Sequence, residues 1–202
     1  MPTLQTLVSV ALAGLALSAT PGPSMLYVLS QTVGQSRAAG LASAVGLCLG
    51  GVVLAIATAL GLAALFEQSQ MLVTVLRYLG SAYLVWLGYG MIRDARRASQ
   101  ETLSVSAVRQ RPIRKILWQG VLVEVLNPKT VLFFALFLPP FVMLDQGQAG
   151  NVTLQLLILG SLVPLTALPS DILVAFMGGA MTRRLNDNRR AREVLGWIGG
   201  LL

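Results

Sequence analysis

Apolar residues fill this chain in long, uninterrupted blocks. No side chain is charged from Met1 to Ser36, and none from Ala38 to Phe66. Blocks of that length predict membrane-spanning helices, because crossing the roughly 30 Å hydrocarbon core takes about 20 residues. Five spans are expected, at about Leu4 to Val33, Ala39 to Leu65, Met71 to Ile92, Ile116 to Leu144 and Val152 to Met181. A last apolar piece from Val194 to Leu202 is too short to cross by itself and reads as a sixth helix, either partial or continued further. Leu17-Ser18-Ala19 resembles a signal-peptide cleavage site, but no Lys or Arg precedes the first block, so it reads as a retained span. The expected fold is an all-α integral membrane protein of about six transmembrane helices. It forms a single transmembrane domain over residues 1–202, with half-repeats at about 1–92 and 116–202.

Two interruptions break this pattern. Ala19-Thr20-Pro21-Gly22-Pro23-Ser24-Met25 places two prolines and a glycine in consecutive positions of the first span. Proline removes an amide donor and clashes with the carbonyl four residues back, so the helix must stop and restart. Pro23 suits the first position of the new half-helix, with Gly22 before it as cap and the amides of Ser24 and Met25 lacking intrahelical partners. Asn127-Pro128-Lys129-Thr130 in the fourth span repeats that chemistry: a capping residue, a proline, then two residues with exposed amides. Broken backbone at membrane depth survives only where protein buries it or where it lines a polar cavity. Paired broken helices in inverted repeats, with half-helix N-termini facing a site near the midplane, recur in secondary transporters. The alternative reading of either break is a plain proline kink between packed helices.

Charge supplies the orientation. The connector from Arg93 to Lys115 carries seven basic residues against Asp94 and Glu101, and a second basic loop holds Arg183, Arg184, Arg189, Arg190 and Arg192. Beside membrane spans such clusters mark cytoplasmic loops, not nucleic-acid sites. With Arg37 in the first loop, the odd-numbered loops lie inside, so the N-terminus is outside and the three-span halves have opposite topology. The net charge of +7 is a topology signal. Composition agrees: 55% of residues are hydrophobic and 11% charged, with a mean hydropathy of +0.73, where soluble domains carry about a quarter charged residues.

The candidate chemistry follows from what the spans contain. Pro21, Gly22, Pro23, Ser24, Met25, Asn127, Pro128, Lys129 and Thr130 are expected to contact substrate at the two breaks. Charged residues deep in spans are costly and face cavities, pair with one another or serve transport, which singles out Glu124, Lys129 and Asp171. Lys129 suits a substrate carboxylate, and Asp171 suits an exchanged proton or a substrate ammonium group; a structural ion pair between them is the rival reading. Glu124 is a second candidate for proton coupling, though one turn before the break it also reads as near the cytoplasmic end of its helix. Gly40/Ala44 and Gly46/Gly50 set small residues on one face of the second span, for a close neighbour in the same chain or in a homo-oligomer. Tyr78, Tyr83, Trp86 and Tyr89 read as an interface belt. One cysteine, Cys48, excludes a disulfide or dithiol mechanism and reads as a small packing residue. No histidine is present, so the commonest metal ligand and proton shuttle is missing, and the reading calls for no metal and no cofactor. Neither a histidine-dependent nor an aspartyl intramembrane protease motif fits, so the chain reads as no enzyme.

Several of these stretches together resemble the LysE/RhtB family of bacterial amino-acid exporters. They are Ala19-Thr20-Pro21-Gly22-Pro23, the glycine-rich second span, Leu79 to Gly88, and Leu126-Asn127-Pro128-Lys129-Thr130 with Phe133-Phe134 and Leu138-Pro139-Pro140-Phe141. The resemblance implies an inner-membrane exporter of amino acids driven by the proton gradient, with the lipid bilayer, protons and a small amino acid as its partners. Pro139-Pro140 departs from the Pro-Gln pair common in that family, and Glu124 is an unusual charge before the Asn-Pro motif. A cavity of Pro, Gly, Met and aromatic residues suits small neutral substrates. The alternatives are export of another small solute or a metal cation, or a non-transporting structural role in the membrane.

The charge pattern generates a direct test of topology. A reporter inserted between Arg93 and Lys115 is expected to read cytoplasmic and one at Asp145-Gln146 external; the reversed pair of results would overturn the orientation and the inverted-repeat argument with it.

Overall fold

The computed structural model describes residues 1–20, 22–68, 111–143 and 151–187, with isolated helical positions between 71 and 89. Most of the expected third span, the basic connector up to residue 110 and the last apolar piece from Val194 lie outside the described residues. Every regular element among the described residues is helical, with no strand, as the apolar blocks predict.

The first span is two helices. α1 (Leu4–Ala19) starts at Thr3, whose hydroxyl accepts from the amide of Thr6 at 3.2 Å, and it ends at Thr20 with extended backbone. α2 (Pro23–Gly34) restarts on a proline after Gly22, and its axis is bent by 53° from α1. α3 (Arg37–Gln68) is unbroken over 32 residues. The fourth span is also interrupted: α4 (Ile113–Val125) ends before Asn127, and α5 (Pro128–Leu132) restarts with a 48° bend. α4 begins three residues before the apolar block at Ile116, since the long stems of Arg114 and Lys115 let a charged first turn sit at a membrane edge. Beyond α5 the chain continues as a π-helical turn, Phe133–Phe137, and a 3-10 turn, Pro139–Phe141, where Pro139-Pro140 ends regular hydrogen bonding. α6 (Val152–Asp187) accommodates Pro164 and Pro169 without interruption. α3 from Arg37 to Gly61 and α6 from Val152 to Gly178 are each long and apolar enough to cross a membrane, and each bent pair passes the same test as one span.

Lipid tails are as apolar as leucine, so helices associate through close packing and not through exclusion of water. Glycine provides the close approach. A β-carbon on Gly46 would run into the carbonyl oxygen of Leu117, and one on Gly50 would stand 2.8 Å from that of Val121 and 2.7 Å from the β-carbon of Glu124. The small-residue face of α3 thus receives α4 of the same chain, while Gly40 meets Thr32 and Ala175. A second pair of contacts closes the opposite side, where Gly51 meets Pro164 and Gly160 meets Ala55.

Two apolar clusters flank the middle of the bundle. One gathers Leu17, Phe133, Phe134, Phe137, Leu159 and Val163; the other gathers Val28, Leu29, Leu47, Val174 and Ala175. In the first, the π turn stacks Phe133 on Phe137 with centroids 4.3 Å apart. Gln155, buried on α6, pairs reciprocally with the backbone of Met143, its amide donating to the carbonyl and its oxygen accepting from the N–H, both at 3.0 Å. That pair satisfies the backbone released by the Pro-Pro stop, which would otherwise be exposed to lipid.

The packing predicts where a methyl group is tolerated on α3. Gly46→Ala is expected to destabilise the protein by about 1–3 kcal/mol through overpacking against α4, whereas Gly61→Ala, with nothing within 4 Å of the added carbon, stays within about 0.5 kcal/mol of the parent. Thermal unfolding in detergent would check both, and equal effects would disprove the close α3–α4 contact.

Candidate functional site

The two helix breaks meet. Asn127, 4% exposed, caps α5 by accepting from the amide of Lys129 at 3.1 Å, and its side-chain nitrogen donates to the hydroxyl of Ser24 at 2.9 Å. Ser24 sits in the first turn of α2, so the starts of two half-helices about a hundred residues apart in sequence are hydrogen-bonded to each other. The Ser24 hydroxyl in turn donates to one carboxylate oxygen of Glu124, and the hydroxyl of buried Thr130 donates to the other at 3.0 Å. Glu124 is therefore a node held by both breaks.

α4 begins at Ile113, and eleven residues at 1.5 Å each carry Glu124 about 16 Å along the helix, to its last turn. Gly50 of α3 then lets it approach, as no larger residue would.

The capping of the two half-helices is unequal. Asn127 supplies a side-chain acceptor to the start of α5, but Gly22 makes no side-chain cap for α2. The twelve-residue α2 thus presents first-turn amides without either an intrahelical carbonyl or a local cap.

Lys129 lies against the opposite polarity. Its ammonium donates to the carbonyl of Leu17 at 3.0 Å and that of Thr20 at 3.5 Å, at the C-terminal end of α1. Cations are favoured there because the last carbonyls of a helix lack intrahelical donors and carry its negative pole. Thr20 assists by donating its hydroxyl to the carbonyl of Ala16 at 2.8 Å. The same ammonium stands close to the start of α2, since a β-carbon on Gly22 would lie 3.8 Å from it. Lys129 is also within electrostatic reach of Glu124.

These groups open onto one cavity. Water-sized volume inside it is about 50 Å³, room for a few waters, within an envelope of about 580 Å³ that includes its mouth. Ser18, Thr20, Gly22, Ser24 and Met25 line it from the first span, and Glu124, Asn127, Lys129, Thr130 and Phe134 from the fourth. α3 contributes Leu47, Cys48 and Gly51, and α6 contributes Val163, Pro164, Ala167 and Asp171. Pro21 lies outside the described residues, and Pro23 and Pro128 line a shallow groove on the far side of the break instead. Their ring nitrogens start the half-helices.

Asp171 is 8% exposed, lines this cavity and accepts no hydrogen bond from any group among the described residues. Its neighbour Ser170 receives a hydrogen bond from Ser18 at 3.2 Å, which fixes α6 against the end of α1. The two acids thus have different surroundings: Glu124 is held by two hydroxyls, and Asp171 faces the cavity without a donor.

Residue types at the breaks were legible in the sequence, but the contribution of α3 was not. Cys48 reads as a packing residue and instead borders the cavity, half-buried. Its signal was its spacing: Leu47, Cys48 and Gly51 share one helix face. Val163, Pro164 and Ala167 likewise precede Asp171 by eight, seven and four residues, one face of α6.

Comparison with known proteins places the chain among translocators. The family model described as LysE type translocator matches residues 15–202. A leucine efflux protein of Enterobacter sp. (strain 638) is 30% identical over 182 residues, covering 90% of this chain and 83% of that protein. A homoserine/homoserine lactone efflux protein of Salmonella typhimurium is 29% identical, covering 91% and 79%. An uncharacterized membrane protein of Pseudomonas aeruginosa is 38% identical over 130 residues, a match that spans 59% of its length and 64% of this chain. No solved structure matches.

The junction generates a stability prediction. Asn127→Ala removes both the α5 cap and the link to Ser24 and is expected to cost more than the 0.5–2 kcal/mol or so of a cap alone. In a double-mutant cycle with Ser24→Ala the two changes should couple by about 0.5–3 kcal/mol. Strictly additive melting shifts would show that the breaks are independent.

Proposed function

Because the chain belongs to the LysE type translocator family, we propose that it exports small neutral amino acids across the bacterial inner membrane in exchange for protons. The observation that carries the reading is Asp171, a carboxylate buried at membrane depth with no hydrogen-bond donor among the described residues, open to a cavity at the junction of two broken helices. A buried acid without a partner is costly, so its position calls for a cation that comes and goes.

An amino acid has two charged ends, and both must exchange water for protein in such a site. The carboxylate goes to the start of α2, where the amides of Ser24 and Met25 are uncapped and the helix dipole favours an anion. Lys129, held at the end of α1 close to Gly22, adds positive charge beside it. The ammonium group goes to Asp171. The uncharged side chain then rests against Leu17, Leu47, Phe134 and Val163, which bring no further charge. Efflux proteins for leucine and for homoserine among the relatives support a small uncharged side chain over a basic one.

Proton exchange follows from the same geometry. Asp171 pairs with the substrate ammonium on the way out and is neutralised by a proton from outside when the substrate leaves, which avoids an unpaired charge during the return step. Glu124 stays hydrogen-bonded to Ser24 and Thr130 and couples electrostatically to Asp171, so that the charge on one acid influences the other. The positive-inside pattern supports an external N-terminus, and the meeting of the two half-helix starts supports an inverted repeat.

Purified protein in proteoliposomes tests the reading through counterflow of labelled leucine, homoserine, alanine and lysine, with internal pH followed at the same time. Asp171→Asn is expected to weaken substrate exchange about tenfold to a hundredfold, the equivalent of one charge-assisted hydrogen bond, and to abolish substrate-driven proton movement while the protein remains folded. Unchanged proton coupling in that variant would remove Asp171 from the mechanism, and failure of the parent to move any amino acid would remove the substrate class.

A further inference from the structure

The end of α1 holds a cation that belongs to the chain itself. A helix that stops in mid-membrane leaves its last carbonyls without amide donors, and lipid offers none. The hydroxyl of Thr20 covers the carbonyl of Ala16, whereas the carbonyls of Leu17 and Thr20 converge on the ammonium of Lys129 at 3.0 and 3.5 Å. The Glu124 carboxylate is within electrostatic reach of the same ammonium, and Asp171 lines the same cavity. One acid thus lies within electrostatic reach of the lysine beside converging backbone oxygens, and a second lines the same cavity. Oxygens of this kind, at the negative end of a half-helix, are the ligands that coordinate small monovalent cations in other broken-helix transporters.

We propose that the C-terminal end of α1 is a monovalent-cation site and that Lys129 fills it with a tethered ammonium group. The lysine reaches across from the first turn of α5, so the tether ties the end of one broken helix to the start of the other. Two consequences follow. The native chain needs no sodium or potassium at this position, because its cation cannot dissociate. A chain without the Lys129 side chain keeps the carbonyls of Leu17 and Thr20 and the nearby acid, and so acquires a site for a free cation small enough to enter. This inference concerns the architecture of the break and stands whether or not the transported solute is an amino acid.

Thermal unfolding of the full-length protein in detergent tests it, at matched ionic strength in choline, lithium, sodium, potassium, ammonium and methylammonium chlorides. The parent should melt at one temperature in all six salts. Lys129→Ala should melt lower in choline and recover by several degrees, saturably, in at least one of the small cations, as expected when a ligand binds only the folded state. Lys115→Ala, at the start of α4 and away from the cavity, should show no such selectivity. Where Lys129→Ala fails to accumulate, Lys129→Gln is judged by the same expectation, since it keeps a donor in place without the charge. A melting temperature of the variant that is the same in every salt would overturn the proposal. So would equal cation selectivity in the parent, or failure of both variants to fold in potassium. Counterflow on the same samples keeps this result separate from the transport reading: a parent that moves no amino acid refutes that reading and leaves the cation site standing.

Discussion

Backbone polar groups that face lipid must find partners inside the protein, and two broken helices in one small chain multiply that demand. Here the breaks answer each other. Asn127 caps α5 and donates to Ser24 at the start of α2, Ser24 donates to Glu124, and Thr130 donates to the same carboxylate. Because lipid offers no partner, each break draws on the other for its hydrogen bonds. The cavity lies at this junction, where the two helix starts, the end of α1 and polar side chains from both halves of the chain converge.

Close packing delivers the polar groups to that point. Association of helices in lipid lacks the drive that burial from water supplies, so the contacts depend on how near two backbones can come. Gly46 and Gly50 let α4 lie against α3, and Gly50 sits directly on Glu124. Gly51 receives Pro164, which brings α6 and Asp171 to the other wall of the same cavity. The glycines of α3 therefore shape the site through packing: they bring together two acids that lie on different helices.

Environment then sorts three charged groups that composition alone leaves equivalent. Glu124 is fixed by hydroxyls from both breaks, Lys129 is fixed by the carbonyls that end α1, and Asp171 is left facing the cavity. A group already held by strong hydrogen bonds gives them up only at a cost, whereas one without donors gains by accepting a ligand. The sorting supports exchange at Asp171 and a positioning part for the other two. It also makes the two half-helix starts unequal, since α5 is capped by its own asparagine while α2 begins on a glycine.

The sequence by itself determined which apolar blocks among the described residues become helices and where two of them break, because apolar length and proline chemistry act locally and do not depend on which helix lies next door. Pro23 and Pro128 start their half-helices where the pattern places them, and the charge-free block of α3 forms one unbroken helix. The orientation of Lys129 toward α1, the arrival of Glu124 at the break and the entry of Cys48 into the cavity were decided only by tertiary structure. Each depends on the angle and depth at which two helices cross, and that geometry is set by pairs of small residues far apart in the chain, such as Gly50 against Glu124. A residue's type states what it can bind; only packing determines which partner comes within 3 Å.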